Sequence, residues 1–190
     1  MIAFFDILYY VISGVNAYFV YKIISTFLPV RSHIVMRLMA LLLCYWIANI
    51  VIYLNDIENY TLMFSFFIFY ITVFYKGSFT VKLSVVFIFY PLIAAVNFLN
   101  KDIGYQIFLM LPERVDELYS SITHTALLLP VTLIWFIVWQ FGLKRFISIS
   151  ELLDMKMWLM LDTVYVVLLV GLFVSLNFLT DPFHAYPLAF

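Results

Sequence analysis

Apolar residues run along this chain in blocks of about twenty, broken by short polar stretches, rather than alternating with polar residues at a strand or surface-helix period. A helix that crosses a bilayer needs ~20 mostly apolar residues, with a range of about 17 to 25. On that template the chain divides into six segments, at 3–21, 36–54, 60–75, 81–99, 121–143 and 157–179. Irregular backbone cannot face lipid, and barrel-type alternation is missing, so each segment reads as a helix. The predicted fold is therefore all-α: a polytopic transmembrane helical bundle of six spans forming one domain over residues 1–190. The third span is the shortest. Its sixteen residues, at 1.5 Å each, reach only ~24 Å against a ~30 Å hydrocarbon core, so it is expected to draw on Ile57 or Tyr75 at its ends.

Two connections are long enough to carry structure of their own. Within 100–120, Ile107, Phe108, Leu111, Val115, Leu118 and Tyr119 recur at helical spacing, with Glu113, Asp116 and Glu117 opposite. That pattern suits an amphipathic surface helix interrupted at Pro112, either a connector or a lid. The second, 144–156, sets Phe146, Ile147, Ile149, Leu152 and Leu153 among charges. The last residues, 180–190, hold Pro182 and Pro187 before a final apolar run, an ending that suits either a short external tail or a turn into a further span.

Composition strengthens the membrane reading. Hydrophobic residues make up 66% of the chain and charged residues 11%, against about a quarter charged in ordinary soluble domains. The first span lacks the basic leader and small-residue cleavage site of a signal peptide, so it is expected to stay in the protein. The positions of the charges then set an orientation. With the N-terminus outside, the inner side collects Lys22, Arg31, Arg37, Lys76, Lys82, Lys144, Arg145 and Lys156, leaving Lys101 and Arg114 outside. Basic residues favour the cytoplasmic side, so this is the expected topology, in a plasma membrane.

Candidate chemistry is sparse. No His-Glu-x-x-His pair, Gly-x-Ser-x-Gly elbow, P-loop or Gly-rich nucleotide loop occurs, and no cofactor is expected. His33, His124 and His184 fall at different depths and do not form a metal site; Cys44, the single cysteine, has no histidine at its depth. No basic array suggests nucleic acid, so the expected partners are the lipid bilayer, an external peptide and a second copy of the chain.

Polar residues within spans carry the remaining signal, because they are costly in lipid and face the bundle interior. Asn49, Asn97, His124 and Asn177 lie toward the external ends of four spans, where they can either line a ligand cavity or hydrogen-bond one helix to another. Asp162, near the inner end of the sixth span, is expected to pair with Lys156, Arg145 or another basic residue, or to reach water. Ala40, Cys44 and Ala48, four residues apart, form a smooth seam for close helix packing, as do Gly171 and Ser175. Pro91 and Pro130 each free a carbonyl one turn earlier, at Phe87 and Ala126.

The segment Phe74-Tyr75-Lys76-Gly77-Ser78-Phe79-Thr80-Val81-Lys82-Leu83, with the apolar run that follows it to Asn97, resembles the membrane sensor regions of GHKL-type histidine kinases. The group includes accessory-gene-regulator-like peptide quorum-sensing receptors of Gram-positive bacteria. In that group an aromatic/Lys-Gly-Ser turn joins two short spans, and a membrane domain of this length precedes a cytoplasmic kinase. At position 97, where many relatives carry an acid, this chain has Asn97. The resemblance implies a two-component sensor that binds an external peptide and signals to a kinase portion outside these 190 residues. The alternative is a small transporter or a substrate-binding transporter subunit, although with five glycines the chain has few of the breaks such helices use.

Overall fold

The computed structural model describes residues 2–49, 57–109, 117–143, 156–160, 162–163 and 166. The fold is all-α. Five helices, α1 (Ile2–Phe27), α2 (Ile34–Asn49), α3 (Ile57–Phe74), α4 (Phe79–Leu109) and α5 (Glu117–Ile137), account for most of the described chain. A π-helical stretch, Val138–Leu143, continues α5, and residues 156–160 open a further helix. Each helix packs on its neighbour in sequence, and α5 closes the ring by packing along α1.

Contacts between side chains fix the directions of the helices. Thr125 reaches the Phe5 carbonyl while Phe136 and Trp139 lie against Phe19, so α5 runs parallel to α1. Cys44 meets Ala17 and Asn49 meets Ser13, so α2 runs antiparallel to α1. Phe64 packs on Phe87, and Lys82 reaches back to Thr72, so α3 and α4 are antiparallel too. Successive helices thus alternate, as a chain threading to and fro through a layer must.

The helix ends differ from the expected spans in instructive ways. Continuing past 21 to Phe27, α1 has Ser25 and Thr26 hydroxyls bonded to the carbonyls four residues back, which lets polar residues sit in an apolar environment. Pro29 favours the stop there, since proline disfavours the helical conformation for the residue before it. Starting at Ile57, α3 reaches 18 residues, about 27 Å at 1.5 Å per residue. At Asn100, where a separate surface helix was expected to begin, α4 continues to Leu109 without a break. Its 31 residues span about 46 Å, well beyond a ~30 Å core. Pro91 and Pro130 are both accommodated inside continuous helices. Most of the predicted sixth span, together with 50–54, 110–116 and 144–155, lies outside the described residues.

Burial is two-sided in a way water would not tolerate. On α2, Ala40, Cys44, Ile47 and Ala48 are buried while Leu38, Leu42 and Trp46, on the opposite face, are exposed. Exposed Phe4, Ile7, Tyr10, Leu129, Leu133 and Phe141 extend the apolar surface over α1, α5 and the π stretch. Soluble monomers rarely carry contiguous apolar patches beyond a few hundred Å², whereas exposed apolar side chains on several helices suit contact with lipid. Three helical stretches, Ala3–Phe27, Phe79–Phe98 and Ser121–Phe141, are long and apolar enough to cross a membrane, while Ile34–Asn49 and Thr61–Phe74 are apolar but shorter. The protein is membrane-associated.

Between the helices the core is aromatic. Phe67, Tyr70, Phe74, Phe89 and Tyr90 pack with β-branched residues of α1 and α4. Its one tyrosine pair, Tyr70 and Tyr75, is fully buried with hydroxyls 2.9 Å apart.

At one end of the bundle the α1–α2 and α3–α4 loops are joined through backbone. Val30 and Tyr75 form an antiparallel bridge, the Arg31 N–H donates to the Phe74 carbonyl at 3.0 Å, and the Lys76 N–H donates to the Pro29 carbonyl at 2.8 Å. Gly77 follows at φ +136°, and a Cβ there would lie 2.9 Å from Leu28 Cδ2. Only glycine satisfies both constraints. The aromatic/Lys-Gly-Ser turn singled out in the sequence is therefore the piece that locks the two loops together.

Candidate functional site

Toward the end of the bundle opposite this clamp, asparagine side chains of α2 and α4 reach backbone carbonyls of neighbouring helices. Asn49, the last residue of α2, donates from Nδ2 to its own helix at Tyr45 (2.8 Å) and to the Ser13 carbonyl of α1 (3.4 Å). Its Oδ1 is buried and accepts no hydrogen bond. Asn97 of α4 donates from Nδ2 to the Ala48 carbonyl at 3.0 Å, joining α4 to the residue beside Asn49. The two asparagines thus tie α2 to α1 and to α4 at one level.

The first span adds the Ser13 carbonyl to this group, and Asn16 lies one turn further along the same helix. Ser13 and Asn16 are each 1% exposed, and Asn16 has neither Nδ2 nor Oδ1 hydrogen-bonded. A buried amide without partners costs about 1–3 kcal/mol for each unmet group. The signal was present in the spacing: positions 13, 16, 17 and 20 make one helical face on which Ala17 and Val20 are also buried. On this face the polar pair sits where an α-helix in lipid would place its partner-facing residues.

The seam residues lie beside the cluster. Ala40, Cys44 and Ala48 are fully buried, and the Cys44 thiol points to the Ala17 carbonyl of α1 at 3.5 Å. Small side chains here let α1 approach α2 closely enough for Asn49 to reach across. Next to Ala48, a small apolar crevice opens between α2, α3 and α4, lined by Ile47, Met63, Phe66, Phe67, Tyr90, Ile93 and Ala94, with a volume of about 20 Å³. That is room for one water-sized or methyl-sized group.

The other candidates lie elsewhere. His124 on α5 is exposed on the bundle surface and does not join Asn49 and Asn97; its neighbour Thr125 is the buried one, bonding the Phe5 and Ser121 carbonyls. Asn177 lies outside the described residues. Asp162 pairs with no basic residue among those described: it accepts a 2.7 Å hydrogen bond from the Ser84 hydroxyl of α4, and its Oδ1 is left without a partner. The reason is depth, since Ser84 lies on the buried face of α4, whereas Lys156 is exposed. Among the described residues, no group of three or more histidine, cysteine or acidic side chains can hold a metal ion.

The chemistry on offer at the cluster is hydrogen bonding by neutral amides next to an apolar crevice. It can recognise a backbone-like or amide-bearing group but supplies no acid, base or nucleophile. Compared with known protein families, with curated proteins and with solved structures, the chain matches none.

Proposed function

We propose that this chain is the membrane sensor domain of a receptor, spanning the bilayer several times with its N-terminus outside. In this reading it binds an external peptide-like ligand near Asn16, Asn49 and Asn97 and passes a change in helix packing inward to a histidine kinase portion. The observation that carries the reading is the Asn16 carboxamide, buried with all its hydrogen-bonding capacity unused. A peptide supplies both donors and acceptors for such a group, and an apolar side chain of the same ligand suits the adjoining crevice.

The site is closed in this structure, and that is informative for mechanism. A ligand can meet Asn16 only in a packing that uncovers it. It therefore favours the opened arrangement, and a difference of a few kcal/mol is enough to shift the population. The clamp at the far end ties the same helices in pairs, so the movement is delivered to the side where the basic residues lie. A transport role asks for broken helices around a midplane site; α1 and α4 run unbroken for 26 and 31 residues, which favours the receptor.

The test is the unfolding temperature of the purified protein in detergent, with and without the low-molecular-weight peptide fraction of medium conditioned by the producing cells. The fraction is expected to stabilise the parent, to lose that effect after protease digestion, and to have little effect on Asn16→Leu or Asn97→Ala. Equal stabilisation of the parent and both variants would remove the site.

A further inference from the structure

The clamp end of the bundle concentrates positive charge that forms no ion pair among the described residues. The bridge between Val30 and Tyr75 fixes the placement of the residues on either side of it. Side chains alternate across an extended pair, and Tyr75 points into the core with no exposure. Arg31 and Lys76, each one step further along, therefore share the opposite face, and both are exposed. In an antiparallel pair these two positions are diagonal neighbours, about 7–8 Å apart. Lys82 adds a third cation near the start of α4, its Nζ held at the Thr72 carbonyl of α3 by a 3.0 Å bond.

Helix ends add to this field. Both α2 and α4 begin three residues after the clamp, at Ile34 and Phe79, with no acidic residue in either first turn. Each presents the positive end of its dipole. Arg31, Arg37 and Lys76 form no ion pair among the described residues. Asp162, the described carboxylate on this side, is turned to Ser84. Beside the charges the surface is apolar: Ile34, Val35, Leu38 and Phe79 are among the most exposed large hydrophobic residues of the chain.

We propose that the joined α1–α2 and α3–α4 loops form a binding site for an anionic phospholipid, with Arg31 and Lys76 holding the headgroup phosphate and the apolar first turns of α2 and α4 receiving the acyl chains. Charge alone would suit any phosphate. The apolar first turns, set directly against the basic pair, select one that carries hydrocarbon. An anion held between Arg31 and Lys76 offsets the like charges that the clamp sets on one face. The inference is independent of the external ligand, because it uses residues at the other end of the bundle.

The experiment uses the full chain, delipidated in a neutral detergent, and native mass spectrometry to follow retention of dioleoylphosphatidylglycerol against dioleoylphosphatidylcholine. The parent should retain phosphatidylglycerol selectively. The Arg31→Gln/Lys76→Gln double variant should retain it about thirtyfold less well, the product of two basic side chains each contributing near fivefold at a membrane surface. Both backbone bonds of the clamp survive these substitutions, and an unchanged unfolding temperature in phosphatidylcholine verifies that the bundle is intact. Lys101→Gln, at the opposite end, should behave as the parent. Equal retention by the double variant, or an equal loss in Lys101→Gln, would overturn the proposal. So would stabilisation by glycerol phosphate or inorganic phosphate matching that by the lipid at the same concentration, since the site would then read soluble anions.

Discussion

Replacing Gly77 with alanine tests whether the loop clamp is a structural determinant of the bundle. Two costs add at this position. The backbone holds φ at +136°, a region that side chains with L chirality rarely enter, at about 1–3 kcal/mol. The new methyl would also lie 2.9 Å from Leu28 Cδ2. Leu28 is itself 2% exposed, so its retreat compresses a packed neighbour, and overpacking of this kind costs about 1–3 kcal/mol. The expected total is about 2–6 kcal/mol. At about 2–4 °C per kcal/mol for a chain of this length, the unfolding temperature in detergent should fall by roughly 4–24 °C. The Leu28→Ala background separates the two causes. There the methyl finds space, so Gly77→Ala should cost only the dihedral part, leaving a favourable coupling of about 1–3 kcal/mol between the two sites. A Gly77→Ala protein that melts with the parent would refute the reasoning, and equal costs in both backgrounds would refute the steric half.

Further outcomes follow from the packing. Ala48→Leu should lower the unfolding temperature by the equivalent of about 1–3 kcal/mol, because Ala48 is buried and its carbonyl holds Asn97; a parent-like melt would show that α2 and α4 can part at no cost. Ser84→Ala removes the hydrogen bond that Asp162 accepts from Ser84, while its Oδ1 already lacks a partner, and should cost about 1–3 kcal/mol. A smaller loss would mean that water reaches the carboxylate. Cys44 is buried without exposure, so the folded protein should resist maleimide until denatured; rapid labelling would place the seam at the surface. In a Cys44→Ala background, Lys76→Cys should be shielded from membrane-impermeant reagent in intact cells and Lys101→Cys labelled, and the reverse pattern would invert the topology.

Much of the architecture was already written in the order of residues. Blocks of about twenty apolar positions require helices in lipid, because every backbone group must be satisfied within its own segment. That requirement is local, so composition and spacing are enough to place α1 to α5 and to exclude strands. Helix ends were less legible. Nothing in the apolar pattern shows that α4 passes through Asn100 and Lys101, since a helix leaving the bilayer is free to continue in water.

The candidate site divides along the same line. Asn49 and Asn97 stand out in sequence as amides in apolar runs, and the Ala40, Cys44 and Ala48 spacing marks a face that admits close approach. What they meet is a matter of tertiary structure. A polar residue in a span can turn to any neighbour, and only the ring of helices brings Asn49 to Ser13, Asn97 to Ala48 and Asp162 to Ser84. The same ring leaves His124 on the outside and encloses Asn16. The pairing of Arg31 with Lys76 is the furthest from sequence: these residues are brought side by side by a backbone bridge between two loops, and main-chain hydrogen bonds carry no residue-specific pattern that spacing along the chain could reveal.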